Sequence, residues 1–341
     1  MNKLKVLFVT NSSPYGIYHM VDSVVNNKNI ENEILYLYEK KEITFMNKVF
    51  TKLKLPLDYD NLNKRLLAKV SEYKPDIILI AKGNNIFPST LNKLKYNYPN
   101  AKLISWSLDD MYAWHNRSFY YTLGLKYYDT VFTTKSYNIE ELKSLGAKKV
   151  KFLYQAYSKI YHKSCNECND IKDKADVLFI GFGEKERFES INYLAKHGIK
   201  VTIYGANWHK KEFNNYHNNI KINDYPLFGK DYSNTISCSF INLCFLRKIN
   251  RDLHTSRSIE IPACGGFMLA ERTQEHRELF EEDKEAVYFS SNEELLDKVK
   301  YYIKNTNERK NIAQSGYNRC INSNYSYDNM LDKILEGIKN V

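Results

Sequence analysis

The feature that most constrains this chain is a twice-repeated alternation of short apolar runs with segments of helical periodicity. In the first half the runs fall at Lys5 to Val9, Ile34 to Leu37, Asp76 to Ala81, Lys102 to Trp106, Thr130 to Thr133 and Val150 to Leu153. Each is short enough for a buried strand, and helical spacing returns after Pro88, from Arg117 and from Asn138 to Leu145. A second round starts at Ala175 to Ile180 and continues through Val201 to Tyr204, Phe240 to Cys244, Phe267 to Ala270 and Val287 to Phe289. Strands alternating with helices specify a mostly parallel, doubly wound sheet. At 341 residues the chain suits two such domains of about 150 to 170 residues. The expected boundaries are residues 1–160, a polar linker at 161–174, a second domain at 175–324 and a last helix at 325–341. Ligands of open α/β sheets bind at the carboxyl ends of the strands, which places the chemistry in a cleft there.

One stretch concentrates that chemistry. Asp252 to Ala270 reads as a polar approach, a short helix from Ser256 to Ala263, a Gly265-Gly266 stop and a buried strand. Hydroxyls, Arg257 and a carboxylate, Glu260, then lie at the beginning of a helix. Helix amino termini favour anions, and a carboxylate one turn on can hold both hydroxyls of a ribose. The pattern points to a nucleotide. After the first strand, the lone Gly16 falls short of a G-x-G-x-x-G, so a dinucleotide fingerprint is missing.

A net charge of +10 favours an anionic partner without choosing one. The basic residues are scattered with no basic–aromatic recognition module, so nucleic acid is not an expected partner. No run of eighteen apolar residues occurs, and Met1 to Thr10 reads as a first strand rather than a leader. The six cysteines are irregularly spaced and suggest reduced thiols and a cytoplasmic location. Cys165-Asn166-Glu167-Cys168 has no second pair, so a solvated linker is expected there rather than a metal site. Lys40 to Lys54 sets Phe45, Met46, Val49, Phe50 and Leu53 among five lysines. It suits a core-facing helix with a solvated lysine side, the commoner arrangement, or a segment lying on an acidic membrane face.

Arg257-Ser258-Ile259-Glu260-Ile261-Pro262-Ala263-Cys264-Gly265-Gly266-Phe267-Met268-Leu269, with Glu278-Leu279-Phe280 and Ile312-Ala313-Gln314-Ser315-Gly316 after it, resembles a known family. The likeness is to the carboxyl-terminal domain of CgeB-type (spore maturation) glycosyltransferases, among the group 1 glycosyl transferases. Gly181-Phe182-Gly183 with Arg187, Tyr204-Gly205-Ala206-Asn207-Trp208 and Asp252 to Arg257 look like further motifs of that family in order. Trp106-Ser107-Leu108-Asp109-Asp110, Val131 to Thr134 and Leu153 to Tyr157 extend the similarity into the first half.

The resemblance implies a GT-B fold, two Rossmann-like domains facing across a cleft, with the last helix returning to the first domain. It implies transfer from a nucleotide-diphosphate sugar, held by the second domain, to a glycan, lipid-linked or protein acceptor on the first, without a metal or other cofactor. It also implies a part in making cell-surface glycans, while the cysteines point to the cytoplasm and the 40–54 segment, in its second reading, to a peripheral place at the inner membrane face. An E-x7-E pattern of the wider group is kept as Asp252 and Glu260, which assigns ribose to Glu260 and sugar to Asp252.

Breaking the bond to diphosphate leaves negative charge that basic groups can stabilise. Candidates are Arg187, Arg247, Lys248, Arg251 and Arg257 with the helix amino terminus, and Gly181, Gly183 and Gly205 where backbone could approach phosphate. A tight turn explains those glycines equally, and surface ion pairs explain Arg247 and Arg251 equally. His254 and Thr255 adjoin the donor motif, where His254 serves ligand or structure. Asp109, Asp110 and His115 follow a strand end and could orient or deprotonate an acceptor hydroxyl; either aspartate could instead cap a helix. Two other activities fit the same residues: a nucleotide-sugar 2-epimerase, and a non-catalytic nucleotide- or glycan-binding regulator.

Overall fold

The computed structural model describes residues 3–10, 17–37, 45–58, 60–165, 168, 175–209, 213 and 215–339. It forms two units, Met1–Gln155 with Tyr327–Val341, and Ala156–Ser326.

The first unit runs β1 (Leu4–Thr10), α1 (Ile17–Asn26), β2 (Ile30–Tyr36), α2 (Phe45–Lys52), α3 (Leu62–Tyr73), β3 (Ile77–Ala81), α4 (Pro88–Asn97), β4 (Lys102–Ser107), α5 (Phe119–Gly124), β5 (Thr130–Thr133), α6 (Asn138–Ser144) and β6 (Val150–Phe152). Its strands lie in the order β2-β1-β3-β4-β5-β6, and every pairing is parallel. The middle strands IILIA and LKVLFVT are apolar almost throughout because helices cover both faces of the sheet. Local chemistry sets the helix ends: Pro88 opens α4, and the Ser118 hydroxyl accepts from the Tyr121 amide at the start of α5. The last helix, α13 (Tyr327–Lys339), packs on α1, and the Lys151 ammonium donates to the Gly337 carbonyl at 3.1 Å. The described part of the 40–54 segment faces the core only in part: Phe45 is 78% and Met46 54% exposed, while Val49 and Phe50 are half-buried. Lys40 to Thr44 and the loop Asn11 to Gly16 lie outside the described residues.

The second unit runs β7 (Val177–Ile180), α7 (Lys185–Lys196), β8 (Val201–Tyr204), β9 (Ile220–Asn223), α8 (Gly229–Cys238), β10 (Ile241–Cys244), α9 (Arg257–Ala263), β11 (Met268–Glu271), α10 (Gln274–Leu279), β12 (Val287–Phe289), α11 (Asn292–Lys304) and α12 (Thr306–Asn322). The order β12-β11-β10-β7-β8-β9, again all parallel, reverses between β7 and β10. The chain joins this unit at Ala156, earlier than the sequence suggested. Tyr157 bridges to Ser326, and Tyr157, Ser158 and His162 are buried, so the start of the expected linker is part of the fold.

The cysteines also depart from expectation. Cys168 and Cys238 form a disulfide, and Cys165 offers a third sulfur within 4.8 Å of both. Spacing could not reveal this, because 70 positions separate the two partners and only the fold of α8 brings them together. Alkylation of the unfolded, unreduced protein should therefore modify four thiols, Cys165, Cys244, Cys264 and Cys320, and reduction should raise the count to the full six. Six without reduction would contradict the pairing.

Candidate donor site of the second unit

Where strand order reverses, the loops leaving β7 and β10 turn to opposite sides and leave a crevice between their carboxyl ends. Gly181 to Glu184 leave β7, and Phe245 to Ser256 leave β10 and lead into α9. Most of the donor residues expected from sequence are therefore around one crevice.

Three guanidiniums gather there. Arg187 reaches back from the first turn of α7, donates to the Phe182 carbonyl at 3.2 Å and lies 3.5 Å from Glu184. It is 3% exposed, yet its Nε and one terminal nitrogen make no hydrogen bond. Burial, and after it the charge of Arg257, pushes its pKa down to about 10; Glu184 opposes this and Arg247 adds to the repulsion. Arg247 donates to Glu184 at 2.7 Å, and Arg257 keeps a buried Nε without a partner. Mutually repelling cations with unused donors form a site complementary to a multivalent anion.

Glu260, one turn into α9, is also buried. Its Oε2 accepts from the Tyr232 hydroxyl at 2.6 Å, and its Oε1 lies 3.9 Å from His162 Nε2. The Ser158 amide donates to His162 Nδ1 at 3.0 Å, which leaves the proton on Nε2, facing the carboxylate. Burial lowers the pKa of His162, with Glu260 opposing. Neither Tyr232 nor His162 was found by sequence reasoning: Tyr232 belongs to no motif, and His162 stood in the supposed linker.

Other expected contributions are diverted. Lys248 pairs with Glu271, and Arg251 is exposed on a left-handed backbone. Asp252 is half-buried, and its amide donates to the Arg247 carbonyl at 3.2 Å. The α9 amino terminus does not present its amides to a ligand. The Arg257 amide donates to the Thr255 hydroxyl, and those of Ser258, Ile259 and Glu260 donate to the Thr255 and Ser256 carbonyls. The glycines serve packing. The Gly181 and Gly183 amides donate to the Tyr204 and Ala206 carbonyls, a Cβ on Gly183 would stand 2.6 Å from the Asn207 carbonyl, and one on Gly205 would collide with the Gly181 carbonyl. The anion-holding capacity thus rests on the arginines.

Beneath α9 a buried network fixes its first turn. His254 Nδ1 meets Glu275 at 2.5 Å, which makes this residue structural. Ser258 accepts from the Thr255 amide and donates to His276 Nε2 at 2.7 Å, while His276 Nδ1–H donates to the Glu271 carbonyl at 2.6 Å. Burial, reinforced by His254, pushes the His276 pKa down to about 4 against hydrogen bonding to Glu271. Because the folded value lies below the unfolded 6.5, the unfolded chain binds more protons in between. This contribution, about 3 kcal/mol, is complete above pH ~6.5 and is lost as pH falls towards ~4. The urea midpoint should fall less across that window in His276→Gln than in the parent; equal losses would contradict the assignment.

In the first unit, Asp109 follows β4 and forms an ion pair with Lys82, which follows β3. Asp110 is fully buried; its Oδ1 accepts from the Tyr112 and Ala113 amides at 3.1 Å and from Asn138 at 2.9 Å. It closes a turn, as a capping aspartate does, and this use of its carboxylate makes Asp109 the better acceptor-side candidate. His115 is exposed, and its carbonyl accepts from Lys54.

Comparison with known proteins bears on the fold. Residues 187–336 match a family described as glycosyl transferase-like. HepE from Anabaena, solved with UDP-glucose, superposes with a TM-score of 0.65 at 13% identity, covering 99% of this chain and 100% of that one. Sucrose-phosphate synthase from Thermosynechococcus elongatus gives 0.69 at 10% identity, with 99% and 100% coverage. UDP-GlcNAc 2-epimerase from Neisseria meningitidis, bound to UDP-GlcNAc, gives 0.57 at 15%, with 98% and 100% coverage. No curated protein matches the sequence. The chain has the GT-B fold, and residues 187–336 of its second unit are similar to the glycosyl transferase-like family.

Proposed function

We propose that the protein transfers a sugar from a nucleotide-diphosphate sugar to a hydroxyl acceptor, and that it does so without a metal ion. The observation that carries this reading is the convergence of Arg187, Arg247 and Arg257 on the crevice that also holds Glu260. As the bond from the anomeric carbon to the diphosphate breaks, negative charge grows on the leaving oxygens, and fixed guanidiniums stabilise it. Glu260, oriented by Tyr232, takes the ribose hydroxyls, and Asp252 is retained as the sugar ligand on its spacing alone. Asp109, held by Lys82, orients or deprotonates the acceptor hydroxyl. Membership of the CgeB type, rather than of the class at large, rests on the motifs around Arg257, as does a cell-surface glycan product. Residence in the cytoplasm fits four cysteines outside any disulfide, while the Cys168–Cys238 bond speaks against it. No described helix is long and apolar enough to cross a membrane.

The same fold in a solved 2-epimerase keeps a second reading in play. The deciding experiment incubates the protein with nucleotide sugars, with and without glycan acceptors, and follows both the free nucleoside diphosphate and the sugar. Transfer requires acceptor-dependent release of the diphosphate. A changed sugar without acceptor would establish the epimerase, and binding without either product would leave a regulator.

A further inference from the structure

We propose that α2 and the loop from Met111 to Leu123 form a docking surface for an anionic lipid bilayer. This inference does not rest on the catalytic reading. At 100° per residue, Phe45, Met46, Val49, Phe50 and the following Leu53 occupy one side of α2, and Lys48 and Lys52 flank it. Much of that apolar side lies open: Phe45 is 78%, Met46 54% and Leu53 58% exposed, Val49 and Phe50 are half-buried, and among the described residues no helix or strand packs extensively on α2.

The loop after β4 joins the same surface. The Phe119 amide donates to the Lys54 carbonyl at 2.9 Å, and the Lys54 ammonium donates to the His115 carbonyl at 3.0 Å. The contact brings in Trp114 (52% exposed), Phe119 (43%) and Leu123 (59%), with Trp114 and Phe119 edge to face at 5.1 Å. Arg117 lies over Tyr112 and Trp114.

Charge selects the occupant. Neither Phe45 to Leu57 nor Met111 to Leu123 contains an acidic residue, whereas together they hold Lys48, Lys52, Lys54 and Arg117. An exposed apolar stripe flanked by lysines, beside a Trp, matches a bilayer interface: the rings and aliphatic chains enter the acyl boundary and the ammonium groups meet anionic headgroups.

The chain provides its own reporter. Of its three Trp, Trp106 and Trp208 are buried, so Trp114 alone can respond to lipid. Full-length protein should cosediment with phosphatidylcholine vesicles containing phosphatidylglycerol and not with phosphatidylcholine alone. Its emission should shift to the blue and be quenched by brominated lipid, and Trp114→Phe should abolish both responses. Lys48→Gln with Lys52→Gln should weaken partitioning about fivefold per lysine, roughly 25-fold together. Phe45→Ser with Met46→Ser should weaken it while circular dichroism stays unchanged, since both side chains already lie in water. Equal binding to neutral vesicles, binding that leaves Trp114 unquenched, or no binding would overturn the proposal. So would a lipid-free dimer that Phe45→Ser dissolves, which would give the surface to a second copy.

Discussion

Arg187→Met is expected to leave the fold intact, hold or raise the melting temperature, and lower turnover by about two to three decades. These opposite signs follow from one geometry. The guanidinium is buried, repelled by Arg257 and Arg247, and short of hydrogen-bond partners. Exchanging such a charge for an apolar side chain of similar length removes a desolvation cost, and Glu184 is not left alone because it keeps its pair with Arg247. The same charge, held in place before the diphosphate leaves, is worth most in the transition state. Calorimetric melting together with kcat at saturating donor reads both. A large fall in melting temperature would make Arg187 a structural residue, and unchanged turnover would remove it from the site.

Glu260→Gln should weaken donor binding by about 1.5–3 kcal/mol, roughly ten- to a hundredfold in Kd. The amide keeps the shape and can still accept from Tyr232, but it loses the charge that strengthens hydrogen bonds from ribose hydroxyls. Tyr232→Phe should cost less, because it removes only the orienting donor. Unchanged donor affinity in Glu260→Gln would sink the ribose assignment.

Much of the architecture was legible because buried parallel strands are apolar runs bounded by turns, as in IILIA and LKVLFVT. The elements passed over are those whose pattern is weak or mixed. β9 reads IKIN at a sheet edge, with Lys221 in water, and α3 places its buried Leu62, Leu66 and Val70 among lysines and arginine. The motif residues gathered at the crevice because the strand-order reversal sits beside them. What sequence could not distinguish was use: it gave Arg187, Lys248 and Arg251 similar standing, and only the fold shows Lys248 turned to Glu271 and Arg187 buried without full pairing. Gly181 and Gly205 likewise look the same whether backbone or phosphate lies against them, and here it is backbone. His162 and Tyr232 were invisible because their contact with Glu260 joins distant segments.

The most direct measurement is calorimetric titration of the intact protein with UDP, GDP, dTDP and CDP in EDTA. The account requires saturable binding of at least one nucleotide without metal, weakened in Glu260→Gln and Arg187→Met. Folded protein that binds none of the four in EDTA, and binds one only when magnesium or manganese is added, would contradict the arginine-held diphosphate. Folded protein that binds none under either condition would contradict the donor site itself.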